Sequence, residues 1–240
     1  MTPPLRAGLA GRGFALAGGL IFAVSLGYFL YAYWQYGHVA GPWTTDGWPA
    51  VATNVAMFTV FALHHSVFAR TGIKSVISAH VSPPLERATY VWIASLLYLF
   101  TLWAWAPVPG LAWQVTGAAA WPLYAGWLGG FLLTAVASFA LDPLDLAGVR
   151  QAFGHAPPGE VILSTTGTYG LVRHPIYLGW VLLVWSVPVM TGTRLVFAAI
   201  STLYLVVAIP LEERQMRRTL GPAYDTYARA VRWRMIPGVY

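Results

Sequence analysis

Cysteine is absent from this chain of 240 residues, and charged side chains are scarce. Without cysteine the protein has no disulfide, no thiolate metal site and no cysteine nucleophile. Charged residues make up 9% of the sequence and hydrophobic residues 58%, whereas a soluble domain usually has about 25% charged residues. So few charges could not keep a protein surface in water. The composition therefore excludes an ordinary soluble domain and predicts an integral membrane protein.

Long apolar runs predict where the chain crosses the membrane. Four runs have about 19 to 23 residues each, enough for a helix to cross a hydrocarbon core of about 30 Å. Two shorter runs, Ile176–Met190 and Leu195–Leu211, predict a tight helical hairpin with a turn near Gly192. The sequence thus predicts an all-α, polytopic membrane helical bundle with about six spans. The four long runs are Phe14–Trp34, Val51–Ala69, Ala88–Ala106 and Ala118–Ala140.

The positions of the basic residues predict the orientation of the bundle. Thirteen of the fourteen Lys and Arg residues fall in the amino-terminal segment, the second and fourth connections and the tail, and Arg194 in the hairpin turn is the exception. Because basic residues accumulate on the cytoplasmic side, this alternation predicts cytoplasmic termini. The basic residues that give the formal net charge of +6 thus mark the cytoplasmic side of the membrane, and no nucleic-acid partner is expected.

The last thirty residues form the one compositional break, because they are rich in charge. Pro222 is well placed to begin a helix. From there Tyr224, Tyr227 and Val231 fall on one face, with charged residues on the other. This pattern predicts an amphipathic cytoplasmic helix over the bundle or on the membrane. A basic tail that binds anionic membrane lipid is the simpler alternative.

Ionisable residues beside the spans predict a pocket, because each costs free energy to place in a membrane. Four segments distant in sequence carry such residues at the predicted cytoplasmic ends of spans. Simpler roles stay open as alternatives: hydrogen bonds between helices for the histidine pair, capping of a turn or pairing with Arg150 for the aspartates, and pairing with Arg217 across one helical turn for Glu213. The residues are His64, His65, Asp142, Asp145, Arg150, Arg173, His174, Glu212 and Glu213.

The Arg173-His174-Pro175 step is the strongest local signal. Proline suits the first position of a helix, so unpaired backbone N–H groups and a positive dipole end lie beside an arginine and a histidine. This combination predicts an anion site. No Walker loop, Rossmann glycine pattern or zinc-protease spacing is present. S-adenosylmethionine has matching groups: a carboxylate, an ammonium, a ribose diol and a sulfonium that favours aromatic faces and carboxylates.

At these residues the sequence resembles a known family. The stretch Gly167–Gly179, with Arg173-His174-Pro175 and Tyr177, and then Leu211–Arg214, Gly221–Tyr224, Tyr227 and Arg234-Met-Ile-Pro237, is similar to the carboxy-terminal signature of the isoprenylcysteine carboxyl methyltransferase superfamily of membrane enzymes. The earlier stretches His64–Arg70, Glu86–Tyr90, Trp105–Pro109 and Ser138–Gln151 resemble bacterial methanethiol S-methyltransferases and their NnrU-like relatives.

The resemblance implies an S-adenosylmethionine-dependent methyltransferase in a bacterial inner membrane, with the cofactor held by the last two spans and the tail. It divides the chain into a four-span substrate region, residues 1–150, and a cofactor-binding region, residues 151–240. The cofactor residues that it implies are Tyr169, Leu171, Val172, His174, Pro175, Tyr177, Glu212, Glu213, Tyr224 and Tyr227.

The expected reaction is methyl transfer to a sulfur nucleophile, catalysed mostly by alignment of the acceptor. A thiol has a pKa near 8.5, so a nearby base would help to form the thiolate. His64, His65 and Asp145 are the candidates for the base, and Arg150 or Arg173 for stabilising the anion. The expected acceptor is a small thiol such as methanethiol. A lipophilic acceptor such as a prenylcysteine carboxylate is the alternative within the enzyme class.

Two other classes of membrane protein are compatible with parts of the pattern. The histidines at positions 64, 65 and 174 could ligate a haem iron. A small transporter could use the same polar cluster, with Pro188 and the short spans as broken-helix elements. A Soret band would indicate the haem protein, and solute counterflow in liposomes would indicate the transporter.

Overall fold

The computed structural model of the protein describes residues 6–41, 47–67, 80–155 and 163–240, and it is predominantly helical. Two of the thirteen basic residues counted above for the orientation, Arg70 and Lys74, lie outside the described residues. The helices are α1 (Leu9–Gln35), α2 (Trp48–Val67), α3 (Glu86–Trp103), α4 (Trp121–Phe139), α5 (Pro143–Leu146), α6 (Val149–Phe153), α7 (Pro175–Trp185), α8 (Gly192–Leu220) and α9 (Pro222–Ala230). Short 3₁₀ turns cover Pro83–Leu85, Gly117–Ala120 and Gly167–Gly170, and two strands are β1 (Leu111–Gln114) and β2 (Val189–Thr191).

The membrane helical fold is confirmed, while the number of spans stays a prediction. Among the described residues, three helical stretches are long and apolar enough to cross a membrane: Leu9–Gln35, Gly117–Phe139 and Gly192–Leu220. Within the described residues, the apolar runs that begin at 51 and 88 overlap α2 and α3, which are less apolar than these three stretches. Helix α7 has only 11 residues, so the predicted shortness of the fifth run is confirmed.

The chain forms two compact units, each assembled from three segments. The first unit contains residues 1–34, 56–105 and 141–160, and the second contains residues 35–55, 106–140 and 161–240. Both units therefore draw on residues before and after position 150. The functional division at that position, between a substrate side and a cofactor side, remains a prediction.

Within the second unit, α4 and α7 pack through small residues. A Cβ atom added to Gly130 would lie 2.6 Å from the carbonyl oxygen of Gly179, and one added to Gly126 would lie 2.7 Å from Ser186 Oγ. The backbones thus approach closely, as small residues allow in membrane helices. Gly179 lies one turn after the start of α7, so the close approach involves the first half of that helix.

The carboxyl-terminal hairpin consists of α7, β2 and α8. Indole N–H groups of α7 donate to hydroxyls of α8, Trp180 to Ser201 at 3.1 Å and Trp185 to Thr202 at 2.8 Å. Strand β2 pairs with β1 in an antiparallel sheet with a bulge after Leu111, an element that the hydropathy pattern did not predict. Helix α8 continues past the predicted end at Leu211 as far as Leu220.

Arg194, the exception to the charge pattern, lies at the start of α8 and is buried. Its guanidinium donates a 2.6 Å hydrogen bond to the carbonyl oxygen of Val189. The side chain also packs on Gly37, where an added Cβ would lie 2.7 Å from Arg194 Nη2. Arg194 therefore stabilises the hairpin turn and is not part of a basic surface.

The amphipathic tail helix is confirmed as α9. Tyr224, Tyr227 and Val231 are buried in a cluster with Leu163, Met216 and Leu220. The opposite face carries exposed residues, among them Arg229. The apolar face of α9 therefore packs on the second unit itself.

Candidate functional site

Three segments of the second unit meet at the beginning of α7. They are the Arg173-His174 step before the helix, the Glu212-Glu213 pair in α8 and residues 231–234 after α9. His174 precedes a proline and has a non-helical backbone, with φ −124° and ψ 64°, because a proline disfavours the helical region for the residue before it. Pro175 then opens α7, as the sequence predicted.

Backbone pairing joins the Arg173-His174 step to the tail. The N–H of Arg173 donates to the carbonyl oxygen of Trp233 at 2.9 Å, and the N–H of His174 donates to that of Arg234 at 2.7 Å. These bonds connect residues about sixty positions apart in the sequence. The tail is thus fixed beside the first turn of α7.

The Glu213 carboxylate is fully buried and surrounded by basic side chains. Arg173 Nε donates to its Oε1 at 2.7 Å. Arg234 Nε lies 3.3 Å from Oε2, Arg217 Nη2 3.8 Å from Oε2 and His174 Nε2 3.6 Å from Oε1. The pairing of Glu213 with Arg217 across one turn of helix is one of the simple roles left open above. A buried carboxylate needs such partners, since an unpaired one is costly.

The guanidinium of Arg173 donates hydrogen bonds to other groups of the protein. Besides Glu213, it donates from Nη1 to the carbonyl oxygens of Val231 at 2.7 Å and Arg232 at 2.9 Å. Its side chain is only 7% exposed. One side chain therefore connects α8 and the tail to the start of α7, and these contacts use its Nε and Nη1 groups.

Glu212, the neighbour of Glu213, has a different environment. Its side chain is 42% exposed. Its Oε1 accepts a 2.5 Å hydrogen bond from the Tyr177 hydroxyl, and its Oε2 lies 3.8 Å from His174 Nδ1. The rings of His174 and Tyr177 stack with centroids 5.3 Å apart and planes 11° apart. An accessible carboxylate and two aromatic rings thus share one corner of the second unit.

The His174 ring has one nitrogen that is buried without a hydrogen-bond partner, Nε2. The nearest carboxylate oxygen, Glu213 Oε1, is at 3.6 Å, beyond hydrogen-bond distance. Most buried polar atoms in folded proteins have a partner. The ring nitrogen thus lies beside the buried Glu213 carboxylate without a hydrogen bond to it.

The predicted tail tyrosines are buried in the cluster that holds α9. The Tyr227 hydroxyl donates to the carbonyl oxygen of Tyr169 at 2.8 Å, and the Tyr169 hydroxyl donates to that of Ala137 at 3.4 Å. Burial raises the pKa of Tyr227 to about 12, and it also raises the pKa values of Tyr224 and Tyr169. All three phenols thus stay neutral at ordinary pH.

The remaining predicted cofactor residues differ in exposure. Val172 and Pro175 are buried, whereas Leu171 is largely exposed. Among the predicted cofactor residues, the structure thus brings His174, Tyr177, Glu212 and Glu213 together through side-chain contacts, and the tyrosines through the tail cluster.

In the first unit, the residues that follow α4 form a turn closed by a salt bridge. Asp142 caps α5 by accepting from the N–H groups of Leu144 and Asp145, and it has a left-handed φ of 59°. Arg150 donates to Asp142 Oδ2 from Nε at 2.8 Å and approaches it with Nη2 at 2.7 Å. The hydrogen bond from Arg150 lowers the pKa of the Asp142 carboxyl. The capping role left open by the sequence thus describes Asp142.

Asp145 lies in the same turn and accepts a 2.7 Å hydrogen bond from Gln151 Nε2. Asp142 and Asp145 therefore have separate partners, since Arg150 pairs with the first and Gln151 with the second. Gln151 ends the family-like stretch Ser138–Gln151, and its role as the partner of Asp145 was not predicted.

The predicted histidines also belong to the first unit, near the end of α2. The Tyr90 hydroxyl of α3 lies 2.8 Å from His65 Nδ1, and the His64 and Tyr90 rings stack at 5.5 Å with planes 12° apart. Tyr90 was quoted in the sequence pattern without a role. Its contacts with both histidines result from the packing of α3 on α2, which no short sequence motif specifies.

Comparison with protein families places this chain near membrane methyltransferases. A family model described as "Phospholipid methyltransferase" matches residues 147–223, which include α7 and all of α8. The matched stretch contains the Arg173-His174 step and both glutamates. No solved structure matches the chain.

Curated relatives match most of the sequence. The chain is 36% identical to methanethiol S-methyltransferase 2 of Bradyrhizobium diazoefficiens over 91% of its length and 86% of the relative's. It is 36% identical to methanethiol S-methyltransferase of Mycobacterium tuberculosis, with 88% and 90% covered. It is also 36% identical to methanethiol S-methyltransferase of Pseudomonas deceptionensis, with 81% and 78% covered.

Proposed function

Because the chain belongs to the methanethiol S-methyltransferase family, we propose that it transfers a methyl group from S-adenosylmethionine to a small thiol such as methanethiol, which yields dimethyl sulfide. The observation that carries the proposal is the contact of Glu212 with Tyr177 and His174, inside the stretch that matches the methyltransferase family model. Methyltransferase activity follows from the family, and the identity of the donor and the acceptor is the proposal.

The residues around Glu212 fit the chemistry of S-adenosylmethionine. Its accessible carboxylate suits a ribose diol or an ammonium, and the stacked rings suit a flat base or a sulfonium. When bound, the donor supplies an already activated methyl group, so the protein has only to align the acceptor and exclude competing water.

Arg173 and Glu213 act in this proposal as positioning residues. They hold the tail against the start of α7 and so orient His174, while Glu212 contacts the donor. Tyr224 and Tyr227 act in the same way, because they anchor α9, and Tyr169 accepts the hydrogen bond that fixes Tyr227. Leu171, Val172 and Pro175 shape the backbone of the same segment.

A nearby base would help the acceptor thiol to form its thiolate, and His65 is the proposed one. Its contact with the Tyr90 hydroxyl fixes the orientation of the imidazole. The imidazole takes the thiol proton and leaves a thiolate sulfur, which is the nucleophilic form. His64 and Asp145 are the remaining candidates. Arg150, paired with Asp142, contributes a positive charge that favours the thiolate.

The protein is proposed to lie in a bacterial inner membrane with both termini in the cytoplasm. The burial of Arg194 supports this orientation, since the one basic residue that broke the alternation stabilises a turn. The absence of cysteine allows a direct test. Single cysteines introduced at Arg229 and at Thr116 are expected to react with an impermeant maleimide from opposite sides of sealed vesicles. Labelling of both from one side would contradict the proposed topology.

The function is tested with radiolabelled S-adenosylmethionine and the full-length protein in detergent or vesicles. Methanethiol, longer thiols, a prenylcysteine and membrane lipid serve as acceptors, and label in a volatile sulfide is the expected product. Glu212→Gln is expected to lower activity through a raised KM for the donor, and Asp225→Asn, which alters another exposed carboxylate, is the matched control. Label in lipid or in a methyl ester, and none in a sulfide, would refute the thiol assignment.

A further inference from the structure

The buried carboxylate of Glu213 faces more positive charge than it can neutralise. Three guanidinium groups lie within 4 Å of it, from Arg173, Arg217 and Arg234. One carboxylate balances one of them. The other two therefore need further anions or exposure to water.

Two of the three arginines have a close carboxylate partner. Arg173 is buried, at 2.7 Å from Glu213, and its Nη1 is taken by backbone carbonyls. Arg217 also pairs with Asp225, Nε to Oδ1 at 3.2 Å, and its guanidinium lies 5.5 Å from the centre of the Tyr224 ring. Each of these side chains thus has a partner that explains its position.

Arg234 is different. Its Nε lies 3.3 Å from Glu213 Oε2, but that oxygen has no hydrogen bond of acceptable geometry. In the part of the chain that the structure describes, no second carboxylate pairs with Arg234. Its side chain is 36% exposed. The guanidinium is therefore charged, accessible and incompletely paired.

The position of Arg234 is nevertheless fixed. Its carbonyl oxygen accepts the N–H of His174 at 2.7 Å, and its guanidinium lies 5.3 Å from the centre of the Tyr240 ring. The next residue, Met235, is buried. An arginine held in this way pays little conformational entropy on binding, and its planar fork suits a carboxylate in two parallel hydrogen bonds.

We propose that Arg234 binds the carboxylate of the amino acid portion of the methyl donor, beside His174 and the first turn of α7. The assignment rests on the proposed function and extends it by one residue. A free carboxylate neutralises the charge left over around Glu213, and the amino-terminal end of α7 favours an anion at the same place. Arg234 is then a binding residue, and Arg173 is a positioning residue.

The test compares two donors that differ only in the carboxylate. Binding of S-adenosylmethionine and of decarboxylated S-adenosylmethionine is measured by calorimetry with the full-length protein and with Arg234→Gln. Loss of a charge-assisted hydrogen bond is expected to weaken S-adenosylmethionine about tenfold to a hundredfold. The affinity for the decarboxylated donor is expected to change by less than about twofold.

Two further variants keep the test decisive. Arg234→Lys retains the charge and is expected to lose less affinity for S-adenosylmethionine than Arg234→Gln. Arg218→Gln removes an exposed arginine from the last turn of α8 and is expected to leave both affinities unchanged. Equal weakening of both donors by Arg234→Gln, or no weakening of either, overturns the assignment. Failure of the unaltered protein to bind either donor contradicts the proposed function itself.

Discussion

Two regions of this protein contain an arginine and a carboxylate at the same separation but in opposite environments. In the second unit, Arg173 and Glu213 are 2.7 Å apart, with side chains 7% and 0% exposed. In the first unit, Arg150 and Asp142 are also 2.7 Å apart, with side chains 40% and 35% exposed. Distance alone therefore does not distinguish them.

Burial decides what each pair does. An exposed pair contributes little, because water and salt screen the attraction and two long side chains lose freedom. In a buried pair the two charges depend on each other, since the removal of one leaves the other without compensation. Arg173 and Glu213 thus form a junction that the second unit needs, whereas Arg150 and Asp142 close a local turn.

The largest expected effect comes from breaking the buried pair. Arg173→Met leaves the Glu213 carboxylate buried without its closest partner and two backbone carbonyls without a donor. The expected loss is about 3–5 kcal/mol of unfolding free energy. Thermal or denaturant unfolding in detergent micelles measures it. Affinity for the methyl donor is expected to fall as well, because the tail no longer fixes His174.

Arg218→Met is the matched control for that substitution, because it removes an exposed arginine from the end of α8. It is expected to leave the unfolding midpoint close to that of the unaltered protein. A loss for Arg173→Met as small as for this control would show that the buried pair is dispensable, and the contrast between the two regions would disappear.

Part of this fold could be predicted from the sequence. Apolar runs predicted the helices, and Pro222 predicted where α9 begins. The apolar pattern predicted the end of α8 at Leu211, because Glu212, Glu213 and Arg214 follow. In the structure the helix continues to Leu220. Those charges are tolerated since Glu213 and Arg217 find partners in the tail. Strands β1 and β2 were missed because they pair residues about eighty positions apart.

The candidate site was predicted by residue type and not by role. Adjacent residues of a helix point about 100° apart, so Glu212 and Glu213 have different surroundings, one partly exposed and one buried. Which of them turns inward depends on the arginines packed there. Arg234 was quoted in the motif without a function, because its place beside His174 results from backbone bonds to a distant segment.

The second prediction compares the loss of one member of the buried pair with the loss of both. Arg173→Met combined with Glu213→Met is expected to be about 1–2 kcal/mol more stable than Arg173→Met alone, because the buried carboxylate that has lost its closest partner is removed as well. Recovery is incomplete, since the carbonyl oxygens of Val231 and Arg232 still lack their donor. Unfolding of both single variants and the double variant gives the coupling energy. Additive losses would argue against a coupled pair.

The third prediction concerns a neutral hydrogen bond near the same junction. Tyr227→Phe removes the donor to the carbonyl oxygen of Tyr169 and is expected to cost about 1 kcal/mol of unfolding free energy. Tyr224→Phe is the matched control, because the described residues give its hydroxyl no hydrogen bond. Similar losses for the two variants would indicate that ring packing, and not the hydrogen bond, holds α9.

The smallest expected effect comes from breaking the exposed pair. Arg150→Met is expected to cost at most about one-fifth of the Arg173→Met loss, since Asp142 stays hydrated and keeps its backbone donors. The pKa of Asp142 is lowered in the folded protein by the hydrogen bond from Arg150. The contribution of the pair to the unfolding free energy is therefore fully present above the pKa of Asp142 in the unfolded chain, about 4. It disappears as the pH falls through the lower pKa of Asp142 in the folded protein.

This pH dependence gives a direct comparison of the two regions. The difference in unfolding midpoint between the unaltered protein and Arg150→Met is measured from neutral pH down to about pH 3, at low and at high salt. It is expected to shrink below about pH 4 and at high salt, because protonation and screening both remove the attraction. The Arg173→Met difference is expected to respond far less to salt, since ions do not reach a buried pair. Equal salt responses would mean that burial does not separate the two pairs.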